Sequence, residues 1–307
     1  MSVTDAGQFV DRFYEEWGER TARALAALEA SGTLGTVRED YDAFLSENFP
    51  APAGVSFATV DVAGLAAEWA TPQDRAPGRV LLYLHGGAYL VGGPGGYHGL
   101  VGAFARDLRA RALVPDYRLA PEAPFPAAIQ DGVAAYRWLL DQGVDAGDIV
   151  VAGDSAGGAM AVSVLVAARD EGLPMPAASI AFSPWANLEH TGASMTTRNG
   201  IDPSANREGL HRAATAFLAG TDPSHPLASP VFADTRGLPP VLIQIGEREV
   251  MLSDAIRLAA RLADTAVATR LDVAPGMAHV WHLFAGRHPA ADKALADAVA
   301  FAKEHLR

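Results

Sequence analysis

The chain has 307 residues, of which 50% are hydrophobic and 20% charged, enough apolar surface to offset the ordering entropy that keeps polar chains disordered. Lys and Arg number 24 against 36 Asp and Glu, and the formal charge of −12 repels phosphate backbones and argues against nucleic-acid binding. The absence of cysteine excludes disulfides, thiolate metal sites and a cysteine nucleophile, and agrees with a reducing, cytoplasmic compartment.

Residues 5–31 predict a helix: Phe9, Val10, Phe13, Trp17, Leu25 and Leu28 recur at helical spacing, and Gly32 can end it. The acidic start MSVTDAGQFVDRFYEEWGER lacks the basic and then apolar layout of a signal peptide. A short helix at 37–45 and a proline-containing linker at 48–54 follow. The stretch VSFATVDVAGLAAEWA alternates and predicts two antiparallel strands turning near Ala63 and Gly64. From Val80 the texture changes to short apolar runs, VLLYL, ALVPDYR, IVVAGD, SIAFSPW, PVLIQIGE and LDVAPG. Helical stretches at about 100–111, 127–140, 156–169, 254–264 and from 290 separate them. Strands without polar alternation, divided by helices, predict an α/β chain with a mostly parallel central sheet buried under helices on both faces. Residues 186–237 break the rhythm, with helical patches, many prolines and no clear strand, and read as an insertion over the carboxyl edge of the sheet. Residues 1–50 can share that capping role, leaving 51–307 as one α/β domain. No apolar window, VLLYLHGGAYLVGG included, is long and glycine-poor enough to span a bilayer, so no membrane insertion is expected.

Two motifs carry chemistry. Gly153-Asp154-Ser155-Ala156-Gly157 fits G-x-S-x-G between a predicted strand and helix, a context that strains the serine backbone and exposes its hydroxyl. The helix start also directs positive dipole to an anion forming beside Ser155. His85-Gly86-Gly87-Ala88 follows VLLYL, and consecutive glycines let backbone N–H groups converge on an oxyanion. A phosphate loop would want a lysine or a G-x-G-x-x-G opening a helix, and GGPGGYHGL has neither. His85 reads as a structural histidine that orients the loop.

HGGA, then Asp116-Tyr117-Arg118-Leu119-Ala120-Pro121-Glu122, then GDSAGG resemble, in that order, the hormone-sensitive-lipase-like branch of the α/β-hydrolases. The resemblance runs from about Val55 to His282 and implies the α/β-hydrolase fold with a helical cap. It also implies a bacterial serine carboxylesterase acting on short- to medium-chain esters through an acyl-enzyme, without metal or organic cofactor. The DYRLAPE stretch reads as a strand end and a proline-stiffened loop, braced by an Arg118–Glu122 ion pair. Ala88 stands where the family usually has glycine but keeps its N–H. The resemblance assigns Gly86, Gly87, Ala88 and Ala156 to the oxyanion hole.

Of nine histidines, His279 in Ala274-Pro275-Gly276-Met277-Ala278-His279 matches the family's base, with His282 second, starting a helix or packing in the cap. His190, His211, His225, His288 and His305 read as exposed polar positions. For the acid, aligning the end of PVLIQIG puts Glu249 where relatives usually carry aspartate; Asp254 is the alternative, already inside the next helix, and Glu247 faces the opposite side. The acid need only fix the histidine tautomer and stabilise imidazolium, so glutamate serves. Trp185, Phe217, Leu218, Phe232, Trp281 and Phe284 are candidates for an apolar pocket, as are Trp17 and Phe13, with plain core packing the alternative for all. Lactone or amide hydrolysis would use the same groups. A non-catalytic small-molecule receptor on this fold would have lost base or acid, and an interaction scaffold gives no reason for these motifs. Related enzymes often pair through an edge strand or the final helix, which leaves a homodimer open.

Overall fold

The computed structural model describes residues 3–307; Met1 and Ser2, the start of the acidic stretch read above, lie outside the described residues. Two helices, α1 (Val3–Ser31) and α2 (Gly35–Asn48), precede a hairpin of β1 (Val55–Val62) and β2 (Leu65–Pro72). The hairpin turns at Ala63 and Gly64, both at positive φ, with the Gly64 N–H donating to Asp61 at 3.0 Å. Then come β3 (Val80–Leu84), α3 (His98–Leu108), β4 (Arg111–Pro115), α4 (Ala127–Asp141), β5 (Ile149–Asp154), α5 (Ala156–Asp170) and β6 (Ala178–Phe182). The chain continues through α6 (Ser194–Thr197), α7 (Arg207–Leu218), β7 (Val241–Gly246), α8 (Leu252–Asp264), β8 (Thr269–Ala274) and α9 (Pro289–His305).

The eight strands form one sheet in the order β1-β2-β4-β3-β5-β6-β7-β8. Strands β3 to β8 are mutually parallel, while β2 runs antiparallel to β1 and β4. Every residue of β3, β5, β6 and β7 is buried, which requires cover on both faces and explains their unbroken apolar runs. Because these strands are parallel, the loops after β3, β5, β7 and β8 emerge at the same edge. That edge collects residues 85–88, Ser155, 247–251 and 275–280, the usual position of a site in an open α/β sheet.

Two helical segments lie over this edge. On α1, Phe13 packs at 5.0, 4.8 and 5.2 Å from the rings of Phe44, Phe49 and Phe284, contacts worth ~0.5–1.5 kcal/mol each beyond simple burial. Phe13 is therefore core. On α2, Arg38 donates to the Leu90 and Ala120 carbonyls, both at 2.8 Å, and pairs with Glu122. This corrects the Arg118–Glu122 brace. Arg118 turns instead to Asp131 on α4, Nη2 to Oδ1 at 2.7 Å, because α4 and α2 each offer a nearer partner. The stretch 186–237 holds α6, α7 and a single-turn helix at Pro230–Phe232, and no strand among the described residues. No described helix is long and apolar enough to cross a membrane.

Candidate active site

Ser155 sits between β5 and α5 at φ 55°, ψ −120°, a conformation that costs a non-glycine residue ~1–3 kcal/mol and must be held by its surroundings. The Ser155 N–H donates to the Phe182 carbonyl at 2.8 Å and its carbonyl accepts from Trp185 N–H at 3.0 Å, so the end of β6 clamps it on both sides. The turn is tight because its flanks have no side chains: a Cβ at Gly157 would stand 2.0 Å from the Leu84 carbonyl oxygen.

His279 lies beyond β8 and places Nε2 2.9 Å from Ser155 Oγ and Nδ1 2.8 Å from Glu249 Oε2. A carboxylate only accepts, so Nδ1 carries the proton and Nε2 is the acceptor facing the serine hydroxyl. Glu249 is fully buried, and its other oxygen accepts from Gly246 N–H at 2.6 Å and from Ser183 Oγ at 2.7 Å. Burial pushes the Glu249 carboxyl up, and the His279 hydrogen bond pulls it partly back. Burial lowers His279, but the hydrogen bond and charge of Glu249, helped by Asp202 and Asp154, outweigh it and leave the imidazole above its ordinary value.

Ser183 escaped the sequence reading, which took 179–185 as strand throughout. The strand stops at Phe182, and Ser183 at φ 47° accepts from Val280 N–H at 3.0 Å while donating to Glu249, joining the acid and histidine loops. A serine followed by proline was the one local sign that the strand ended there. Tyr14 of α1 was also missed; its hydroxyl donates to the His279 carbonyl at 2.9 Å, across 265 residues.

In the loop after β3, Gly87 adopts φ 108° and a Cβ there would stand 2.0 Å from the Val91 carbonyl oxygen. Gly86 departs from its expected role, since its N–H is spent on Asp154 Oδ1 at 3.0 Å. Asp154 is buried, also accepts from the Tyr83 and Tyr97 hydroxyls, and is pushed up by that burial to about 6. The N–H groups of Gly87, Ala88 and Ala156 have no acceptor among the described residues. His85 is buried with Nδ1 2.7 Å from the Gly86 carbonyl and its ring 4.1 Å from Tyr117, and burial lowers it to about 4, so it braces the loop as a neutral ring.

The alternatives fall elsewhere. Asp254 is buried in the first turn of α8, where the Asn187 and Ala186 backbone approaches it without closing a hydrogen bond, and it makes no bond to His279. Glu247 accepts from Gly276 N–H at 3.1 Å on the surface. His282 does lie at the start of a helix, the single turn Trp281–Phe284, but its ring is buried in the core rather than in the cap, 3.0 Å from Gln244 Oε1 and stacked on Phe182. His190 is not exposed either; residues 186–190 fold back so that its Nε2 accepts from Trp185 Nε1 at 3.0 Å.

Ser155, Gly87, Ala88 and His279 open onto a cavity of about 430 Å³. Its apolar wall comes from Trp17 and Leu25 of α1, Tyr41 of α2, and Leu90 and Val91, and Asp202 reaches it from the loop before α7. Trp185, Phe217, Leu218, Phe232, Trp281 and Phe284 do not line it. Trp185 and Phe217 pack on Tyr89, and Phe284 packs under α1, because bulky apolar groups near a cap satisfy the inter-layer core first. Among the described residues no group of three or more His, Asp or Glu is arranged to hold a metal.

Comparison with known proteins places the chain in a family. The family Abhydrolase_3, described as alpha/beta hydrolase fold, matches residues 81–283. An acetyl-hydrolase of Streptomyces hygroscopicus is 46% identical over 79% of this chain and 81% of its own length. A crystal structure of an esterase from the bacterial hormone-sensitive lipase family superposes with a TM-score of 0.87 at 39% identity, covering 94% of this chain and 99% of that one. EstE5, from a crystal soaked with p-nitrophenyl butyrate, superposes with a TM-score of 0.85 at 42% identity over 94% of this chain and 99% of its own. The chain belongs to the bacterial hormone-sensitive-lipase family of the α/β-hydrolase fold and is a carboxylic ester hydrolase of the serine hydrolase class.

Proposed function

We propose that the protein hydrolyses short- to medium-chain carboxylic esters with Ser155 as nucleophile, His279 as general base and then acid, and Glu249 as the acid that fixes the histidine tautomer. The observation that carries this reading is the unbroken hydrogen-bond chain from Ser155 Oγ through His279 to Glu249, at 2.9 and 2.8 Å. The substrate carbonyl lies beside Ser155 with its oxygen toward the N–H groups of Gly87, Ala88 and Ala156. Ser155 attacks as His279 takes its proton, and the tetrahedral oxyanion strengthens those hydrogen bonds at the moment charge develops. Each such donor supports ~2.7–4 kcal/mol of transition-state stabilisation. The alcohol leaves with the proton from His279, and water repeats the sequence to free the acid. Gly86 acts at one remove, tying the loop to Asp154. Residues 1–50 and 186–237 together act as the cap, since both contribute to the cavity wall.

The cavity volume and the acetyl and butyryl groups named in the relatives support this acyl-chain range. A p-nitrophenyl ester series tests it: kcat/KM is expected to be highest from acetate to hexanoate and to fall at dodecanoate. Ser155→Ala is expected to lose about 10⁴–10⁶-fold in kcat while remaining folded. A folded Ser155→Ala enzyme with wild-type activity overturns the mechanism, and a maximum at dodecanoate overturns the chain-length assignment.

A further inference from the structure

One carboxylate on the cavity wall has no part in the chemistry above. Asp202 lies in the loop between α6 and α7, with 7% of its surface exposed. Its Oδ2 accepts at 2.9 Å from the N–H of Val250, the residue directly after Glu249. Its Oδ1 accepts from Ser204 N–H at 2.9 Å and Ser204 Oγ at 2.7 Å. These bonds tie the cap loop to the acid loop and hold the carboxylate at the same cavity as Ser155 and His279.

No cation pairs with Asp202 among the described residues. Arg248 donates instead to the Ile201 carbonyl at 3.2 Å, and Arg212, also on the cavity wall, is paired with Glu29 at 2.6 Å. Among the described residues the Asp202 oxygens are held only by uncharged donors, the N–H groups of Val250, Ser204 and Ala205 and the Ser204 hydroxyl. Positive charge does arise nearby, but only in the reaction, when His279 takes the Ser155 proton. A charge that meets its partner only then lowers the barrier without tightening the ground state.

We propose that Asp202 is a second functional carboxylate of the site: a positioning residue that stabilises the imidazolium formed at His279 and selects neutral esters over anionic ones. This rests on the Ser155–His279–Glu249 reading. His279 contacts Glu249 from the acid loop, Ser155, and the Tyr14 hydroxyl and Trp17 ring from α1, while Asp202 shares its cavity wall and, with Asp154 of β5 and His282 of its own turn, acts on it through charge at longer range. Of these carboxylates, Asp202 lines the cavity, whereas Asp154 and Glu249 lie behind its wall. Glu208 on the cavity wall adds to the same sign.

The test uses p-nitrophenyl butyrate and the anionic p-nitrophenyl hemisuccinate across pH. The wild type is expected to favour the neutral ester, and equal kcat/KM for the two overturns the selectivity. In Asp202→Asn the acid limb of kcat/KM is expected to move about half a pH unit lower, and the preference for the neutral ester to fall about threefold. Ser204→Ala removes a hydrogen bond but keeps the charge, and its acid limb is expected to match the wild type. Asp202→Ser gives the same readings should the Asn variant not fold. A folded uncharged variant with unchanged acid limb and unchanged ester preference overturns the proposal. Ser155→Ala, run alongside, separates the outcomes, since activity there refutes the triad reading itself.

Discussion

The sheet side and the cap side of the cavity are held by different forces. Ser155, Glu249 and His279 stand on short loops fixed by hydrogen bonds: Ser155 by the Phe182 carbonyl and Trp185 N–H, Glu249 by Gly246 and Ser183, His279 by Tyr14. The cap side rests mainly on side-chain packing, with the Phe13 cluster under α1, and on ion pairs such as Arg212–Glu29, and it is pinned to the sheet side at two points, Tyr14 on His279 and Asp202 on Val250. Directional bonds hold atoms to tenths of an ångström, as proton transfer demands, whereas apolar packing tolerates changes of shape. Substitutions on the sheet side should therefore change kcat, and substitutions on the cap side should change which ester is used.

Ser183→Ala is the strongest way to sharpen that contrast outside the triad. It removes a donor to Glu249 and leaves Val280 N–H without its acceptor, a loss of about 1–3 kcal/mol. Steady-state kinetics should show kcat down about 10–100-fold with KM little changed; a rise in KM alone would break the division. On the cap side, Leu25→Trp narrows the cavity wall. The kcat/KM for p-nitrophenyl hexanoate should fall roughly tenfold while acetate is nearly unaffected, and equal losses on both esters would show that Leu25 does not set the acyl limit.

The smallest effect on activity is expected at Asp254. Burial holds its carboxyl well above the ordinary range, with the Asn187 and Ala186 backbone opposing weakly. A carboxyl raised in the folded state stabilises the protein fully only below its unfolded value of about 3.9, and that contribution is lost as pH rises through the folded value. Asp254→Asn cannot ionise, so its melting temperature should gain on the wild type as pH rises from about 3.9 to the folded value, with kcat/KM within about twofold. A difference in melting temperature independent of pH would contradict the buried, protonated state.

What could be read from the sequence divides along the same line. The Ser155 elbow was legible because each requirement is local: an apolar strand, small residues where Leu84 and Phe182 press in, and a helix start. The order of strands placed Glu249 and His279 at one edge, since parallel strands put their following loops together. Ser183, Tyr14 and Asp202 were not legible, because their roles depend on contacts 66, 265 and 48 residues away. Arg118 found Asp131 rather than Glu122 for the same reason: α2 comes from far upstream to claim Glu122. Of the aromatic residues named for the pocket, Trp17 lines it and the others do not, because apolar character alone does not separate a cavity wall from a core, and only packing put Trp17 on the first and Phe284 in the second.

The central claim is that Glu249, and not the equally buried Asp254, orients His279. Side-by-side kcat/KM values for Glu249→Gln and Asp254→Asn on p-nitrophenyl butyrate test it most directly. The geometry predicts a loss of about 10³–10⁴-fold for Glu249→Gln, whose amide can set the wrong tautomer, and near wild-type activity for Asp254→Asn. A nearly wild-type Glu249→Gln beside an inactive, folded Asp254→Asn would contradict it.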